Sequence, residues 1–474
     1  MRHHSLPFRI LLVAAAAIVP AAYLFFPGLN PFLYAGLLAV LVALLAVAFY
    51  CAPAFLALAV FISQFKSIPA LQPVQARLDL TVSVLSIVLL VIILHSFVMP
   101  AQDAPTFGGR FTGSGKQIAA FLFFAAVIGA SYVYSTAPQS GGTELARFFF
   151  IGGLLFFAPL YLIRSEKHFR QFAQAFIILG LMQSFALFLR VRSVGSSEDV
   201  DVTKIGAGWL IGTAIMFVIF FKFIESDKAR KLAMGLCLPI LVAGLITSAS
   251  RGAVFATGVA FVCTSLILRR SRNKLMLAGV GVLILLCAAT SLYFLRDMGN
   301  GKYRGKVDEL VMLSHGRDTS GSAEKRLEFY RAALREIPEH PILGIGLGSW
   351  STYYYGRDER AYPHDLFLEV AVEQGLVGLL ALGTFLVTVF LAIRTLRKLS
   401  GDYFIVLFSA LVLTITAAGF SGNLDDDRIL WLWSGMVLAV SHVVRARMAE
   451  YFYAQMSPQW ESAPGPTRLQ EARQ

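Results

Sequence analysis

Pro363-His364-Asp365-Leu366-Phe367-Leu368-Glu369-Val370-Ala371-Val372-Glu373-Gln374-Gly375-Leu376-Val377-Gly378 opens an apolar stretch that runs on to Ala392. It follows a long polar segment, so it reads as the point where the chain re-enters a membrane, with a histidine at the edge. A run of this length matches what a helix needs to cross the hydrocarbon core. Working outward, comparable runs recur near 8–26, 32–50, 80–98, 117–136, 145–163, 170–189, 206–224, 231–249, 252–268, 275–295, 402–420 and 429–444. With 57% hydrophobic and only 15% charged residues, the composition excludes an ordinary soluble domain. The expected fold is an all-α polytopic membrane protein.

Basic residues set the orientation. Arg164, Lys167 and Arg170, then Lys228, Arg230 and Lys231, then Arg269, Arg270, Arg272 and Lys274, then Arg394, Arg397 and Lys398 occupy alternate short loops. The positive-inside rule puts these in the cytoplasm and the long 296–363 segment outside. An odd number of spans must then precede that segment, so the short run 52–64 counts as a crossing and the bundle has about 12–14 helices. The first span, with its Ala14–Ala17 run, reads as an uncleaved anchor because a second span follows at once. The expected organisation is a transmembrane bundle over 1–295, an external loop domain over 296–363, transmembrane helices over 364–446 and a cytoplasmic tail over 447–474.

The net charge of +12 follows from that cytoplasmic bias and suits anionic lipid contact; it implies no nucleic-acid partner. Cys51, Cys237, Cys263 and Cys287 lie in or beside apolar spans without paired spacing, and read as small packing residues. Ionisable residues inside the spans are few: Glu369 and Glu373, one turn apart on a shared face, with His95 and His442. The two carboxylates are expected to face the bundle, hydrogen-bonded to neighbours. Such a sparse interior argues against ion-coupled transport.

The external segment carries signs of both charge in near balance. Ser322 is placed to cap a helix over 323–337 that Pro338 and Pro341 end. Leu327, Tyr330, Leu334 and Ile337 form its apolar stripe, which is expected to lie on the membrane or the bundle. At 100° per residue, Arg326 flanks the stripe at about 60° and Arg331 at about 80° on the other side. Either can point into a cleft, or snorkel. Gly344-Ile345-Gly346-Leu347-Gly348 lacks the preceding strand of a nucleotide-binding loop and reads as a tight re-entrant turn whose amides approach something closely. Trp350 with Tyr353–Tyr355 fits an interfacial aromatic belt. Arg251, in Thr247-Ser248-Ala249-Ser250-Arg251-Gly252, is expected on the outer face, where it serves as a phosphate ligand aided by three hydroxyls or as an interfacial anchor. Asp425–Asp427 are expected to be solvated, and no metal is assigned.

Taken together, these pieces resemble the O-antigen ligase and polysaccharide polymerase superfamily. His364 and Asp365, then Gly375 and Gly378, match that family's spacing of a histidine, a polar residue, nine residues, glycine, two residues and a small or hydroxyl residue. Asp365 departs from the amide or hydroxyl usual there, which weakens a specific ligase assignment. Arg251 and Arg326 occupy the places of the family's two outward arginines. The resemblance implies a multi-pass protein of the bacterial inner membrane that moves a glycan from an undecaprenyl-diphosphate carrier to an acceptor at the periplasmic face. The acceptor is lipid A-core or a growing glycan. His364, Arg251 and Arg326 would be catalytic, with His364 the general base and the arginines holding the diphosphate. Arg331, Asp365, Gly346 and Gly348 are further candidates for substrate contact, and no cofactor or metal is implied. A protein O-oligosaccharyltransferase of the same superfamily and a flippase or permease without chemistry are the alternatives.

Overall fold

The computed structural model describes residues 47–48, 50–67, 79–98, 113–193, 201–220, 227–248, 250–268 and 322–461. The expected spans at 8–26 and 275–295, nearly all of 32–50, the first part of the external segment and the end of the tail lie outside these residues. Among the described residues there is no strand. The helices are α1 (Ala52–Phe61), α2 (Leu80–Val98), α3 (Gly115–Tyr132), α4 (Pro138–Arg147), α5 (Gly153–Leu162), α6 (Glu166–Ser193), α7 (Asp201–Phe220), α8 (Lys228–Thr247) and α9 (Arg251–Ile267). After the external segment come α10 (Ser322–Glu336), α11 (Trp350–Tyr355), α12 (Leu366–Glu373), α13 (Gly375–Leu399), α14 (Gly401–Ser421) and α15 (Arg428–Glu461). Seven helical stretches among them are long and apolar enough to cross a membrane. A helix satisfies its own backbone polar groups, which hydrocarbon cannot do.

Local chemistry sets the helix ends. Asp227 accepts from Ala229 N at 2.9 Å to cap α8. Pro138 opens α4, where a missing N–H costs nothing. A single π turn at Phe148–Gly152 joins α4 to α5, so Pro138–Leu162 runs as one long span. Gly152 within that turn lies against Trp431 of α15. Trp431 is fully buried among Phe121, Phe124, Phe148 and Phe385, with ring centroids 5.4–6.0 Å away. This aromatic cluster ties α3, α4–α5, α13 and α15 together.

Two expectations are corrected here. The stretch 366–392 is not one continuous span: α12 ends at Glu373 and α13 begins at Gly375, whose φ is +64°. The chain breaks because Leu376 N and Val377 N donate to Pro341 O and Ile342 O, at 2.9 and 3.1 Å, instead of to the preceding turn. A side chain at Gly375 would meet Ile342 O at 2.4 Å. In α10 Phe329 and Ala333 are buried within the protein, while Leu327 and Leu334 of the expected stripe are 46% and 59% exposed, so those two do not pack on the bundle. Phe329 and Ala333 pack with Trp350 and Val372. Trp350 is accordingly fully buried and takes no part in an interfacial belt.

Candidate functional site

At one end of the bundle, α8 turns into α9 and Arg251 is the first residue of the new helix. The hydroxyls beside it serve the backbone. Thr247 and Ser248 donate to Ala243 O and Leu245 O at 2.7 and 2.6 Å, and Ser250 accepts from Ala253 N at 3.3 Å as the helix cap. The hydroxyl protons of Thr247 and Ser248 are thus used by the chain itself. The start of α9 meets the end of α14, where Phe255 and Phe420 contact edge to face at 4.8 Å.

Arg326 reaches this junction from α10. Its Nη1 donates to Phe420 O at 3.0 Å, a carbonyl at the negative end of α14. It lies within electrostatic range of Arg251. Burial is the main cause that pulls the Arg326 guanidinium down from its ordinary value, with Arg251 adding and Tyr330 opposing. Two like charges within electrostatic range of each other in a half-buried setting could hold an anion. Arg331, by contrast, lies exposed on α10.

His364 completes the group. Its φ is +61°, the sole positive value outside glycine among the described residues. Such a left-handed histidine marks a site over-determined by its surroundings. The ring stacks on Phe329 at 5.8 Å with 18° between planes and meets Tyr362 edge-on at 4.5 Å. Tyr330 donates to His364 O at 3.4 Å. Burial first, then Arg326 and Lys325, push the imidazole down to about 4, so at neutral pH it is uncharged and able to take a proton. Asp365 does not bear on that ring. Its Oδ1 accepts from Phe367 N and Leu368 N at 2.8 and 3.0 Å, capping α12.

The glycine loop is bound to the protein itself. Gly344, Gly346 and Gly348 all have positive φ. Gly346 N donates to Glu373 O at 2.9 Å, Gly348 N to Glu373 Oε2 at 2.8 Å and Trp350 N to Glu373 Oε1 at 3.1 Å. The amides of Gly346 and Gly348 are thus spent on Glu373, and what they approach is a side chain of the same chain. Glu369, the other carboxylate of that face, accepts from Leu424 N at 3.0 Å. Oxygens of Glu144, Glu369 and Glu373 lie within 4.8 Å of one another, a grouping that could hold a cation.

Asp425–Asp427 are corrected from solvated to enclosed: Asp425 and Asp427 are 4% and 2% exposed. Arg147 pairs with Asp425 and Asp426 at 2.7 and 3.0 Å, and Arg360 with the same two at 3.0 and 2.6 Å. Sequence reasoning missed Glu144, Arg147, Arg360 and Tyr362. For Glu144 and Arg147 the one signal was charge at the edge of an apolar run, which most interfacial anchors share.

Residues 232–383 match the family model described as O-antigen ligase, and the match supports the O-antigen ligase superfamily. The matched stretch contains Arg251, Arg326 and His364. No curated protein sequence matches the chain.

Proposed function

Starting from a multi-pass membrane protein with an O-antigen ligase domain, we propose that this chain is a glycosyltransferase. It moves a glycan from an undecaprenyl-diphosphate carrier to an acceptor hydroxyl, as a ligase or a polymerase, at the periplasmic face of a bacterial inner membrane. The observation that carries the reading is the convergence of Arg251, Arg326 and His364 from three separate elements at one end of the bundle.

In this mechanism Arg251 and Arg326 hold the donor diphosphate. Their charge offsets the negative charge that grows on the leaving diphosphate as the sugar–phosphate bond breaks. His364, uncharged at neutral pH, takes the proton of the attacking hydroxyl. The fixed backbone of His364 and the flanking rings of Phe329 and Tyr362 hold the imidazole without a carboxylate partner among the described residues. The acceptor is lipid A-core or the end of a growing glycan.

Donor binding tests the arginines. Purified Arg251→Lys and Arg326→Lys variants are titrated with an undecaprenyl-diphosphate glycan, and a loss of about tenfold or more in affinity is expected when a fork of donors becomes a point charge. Unchanged affinity in both variants would remove them from the diphosphate site.

A further inference from the structure

The membrane-spanning helix α13 carries an exposed apolar stripe made by Leu376, Leu380, Val387 and Leu391. At 100° per residue these four lie within about 60° of one another, so they form the face that α13 turns to lipid. Arg394, Arg397 and Lys398 are exposed toward the far end of the helix, where a charge marks one boundary of the hydrocarbon. At 1.5 Å per residue, Leu376 stands about 27 Å from Arg394, close to the roughly 30 Å of a hydrocarbon core. The first turn of α13 therefore meets the opposite boundary.

The N–H groups of a first helical turn have no partner within the helix, and hydrocarbon offers none. Here a loop supplies them. Leu376 N and Val377 N donate to Pro341 O and Ile342 O at 2.9 and 3.1 Å, which pins Pro341–Leu343 level with the start of the span. Tyr134, two residues beyond α3, holds the loop from a second helix by donating to Leu343 O at 2.6 Å. The backbone of the loop is thus engaged while its side chains are bare: Ile342 and Leu343 are 63% and 55% exposed. Val133, next to Tyr134, is exposed too. Glu339 and His340, just before the loop, are exposed and polar.

We propose that Pro341–Leu343 is inserted into the membrane, with Ile342 and Leu343 among the acyl chains of the leaflet that the first turn of α13 meets. Lipid is the occupant because the loop prolongs the lipid-facing surface of α13, to which its own carbonyls are bonded. Tyr134 suits the rim, where an aromatic body meets hydrocarbon and a polar tip meets the headgroups. Glu339 and His340 stay on the water side. The contact also sets the height of the candidate site. Leu343 runs directly into the glycine loop, whose Gly346 and Gly348 amides hold Glu373 at the end of α12. His364 lies two residues before that helix, so an anchored loop fixes α12 and the histidine at its head relative to the lipid surface. Such an anchor does not depend on what the chain transfers.

Fluorescence quenching on the full chain in liposomes tests this. The four native cysteines are replaced by alanine and bimane is attached at Leu343→Cys, with Leu380→Cys as the lipid-facing reference and Arg357→Cys, an exposed polar position, as the aqueous one. Brominated phospholipid should quench the label at Leu343→Cys as strongly as at Leu380→Cys, while aqueous iodide should quench only Arg357→Cys. Ile342→Cys repeats the measurement, so the result does not hang on one variant, and an unfolding midpoint matching the cysteine-free parent shows that each is folded. Iodide quenching at both loop positions equal to that at Arg357→Cys, without an effect of brominated lipid, places the loop in water and overturns the proposal. Protection from both quenchers means that protein covers the loop, and protection from iodide that is lost on diluting the chain in lipid means that a second copy does; either result overturns it as well.

Discussion

Gly348→Ala probes how the glycine loop holds the site together. Two costs add at this position. At φ +72° an alanine pays about 1–2 kcal/mol for the left-handed conformation. Its Cβ would also sit 2.5 Å from Gly141 N, a backbone atom of α4, so the loop must withdraw. Withdrawal breaks the bond from Gly348 N to the Glu373 carboxylate, a charge-assisted bond worth about 1.5–3 kcal/mol. The sum is about 2.5–5 kcal/mol, large for a single methyl group. Gly356→Ala is the internal control, since φ is +69° there and nothing lies within 4 Å of the added atom. It should cost only the conformational part, about 1–2 kcal/mol. In detergent, thermal unfolding of Gly348→Ala should begin about 3–8 °C below wild type, with Gly356→Ala falling clearly between. Equal midpoints for the two variants would refute the claim that close approach of the loop to α4 matters.

The acid limb of the kcat/KM profile should lie near 4, where His364 is placed by burial and its cationic neighbours, rather than near the free imidazole value of about 6.5. The sign follows from the base role: the neutral form is active, so activity is lost only as pH falls through the depressed value. Donor diphosphate at the arginines removes part of the cationic push, so the kcat limb should move upward; pH–rate profiles at low and saturating donor check both limbs. Asp365→Ala should lower stability by about 0.5–2 kcal/mol through loss of the α12 cap, whereas Asp365→Asn should retain both the cap and turnover. If Asp365→Asn abolished turnover with its unfolding midpoint intact, Asp365 would be acting on the imidazole after all.

Much of the architecture was legible because span length and the alternation of basic loops are physical constraints on any chain in a membrane. The described helices over 115–132, 166–193, 228–247, 251–267 and 401–421 lie close to the expected apolar runs. The break after Glu373 was not legible, because an apolar run hides a turn whose cause is distant in sequence, in the carbonyls of Pro341 and Ile342. The covering of Phe329 and Ala333 on α10 was not legible for a related reason: it is Trp350 and Val372, distant in sequence, that pack on them. Arg251, Arg326 and His364 stood out as charges at helix edges. The grouping of Glu144, Arg360 and Asp425 did not, since these come from distant segments and meet only in the fold.

One measurement bears most directly on the proposed chemistry. Purified wild type and His364→Ala are each incubated with a native undecaprenyl-diphosphate glycan, with and without lipid A-core. Equal donor affinity and matching unfolding midpoints serve as checks that the variant is folded. Wild type should consume donor and form transfer product, on lipid A-core for a ligase or as longer carrier-linked glycans for a polymerase, while His364→Ala binds donor and forms neither. Transfer by His364→Ala at near wild-type rate would contradict the assignment of His364 as the base.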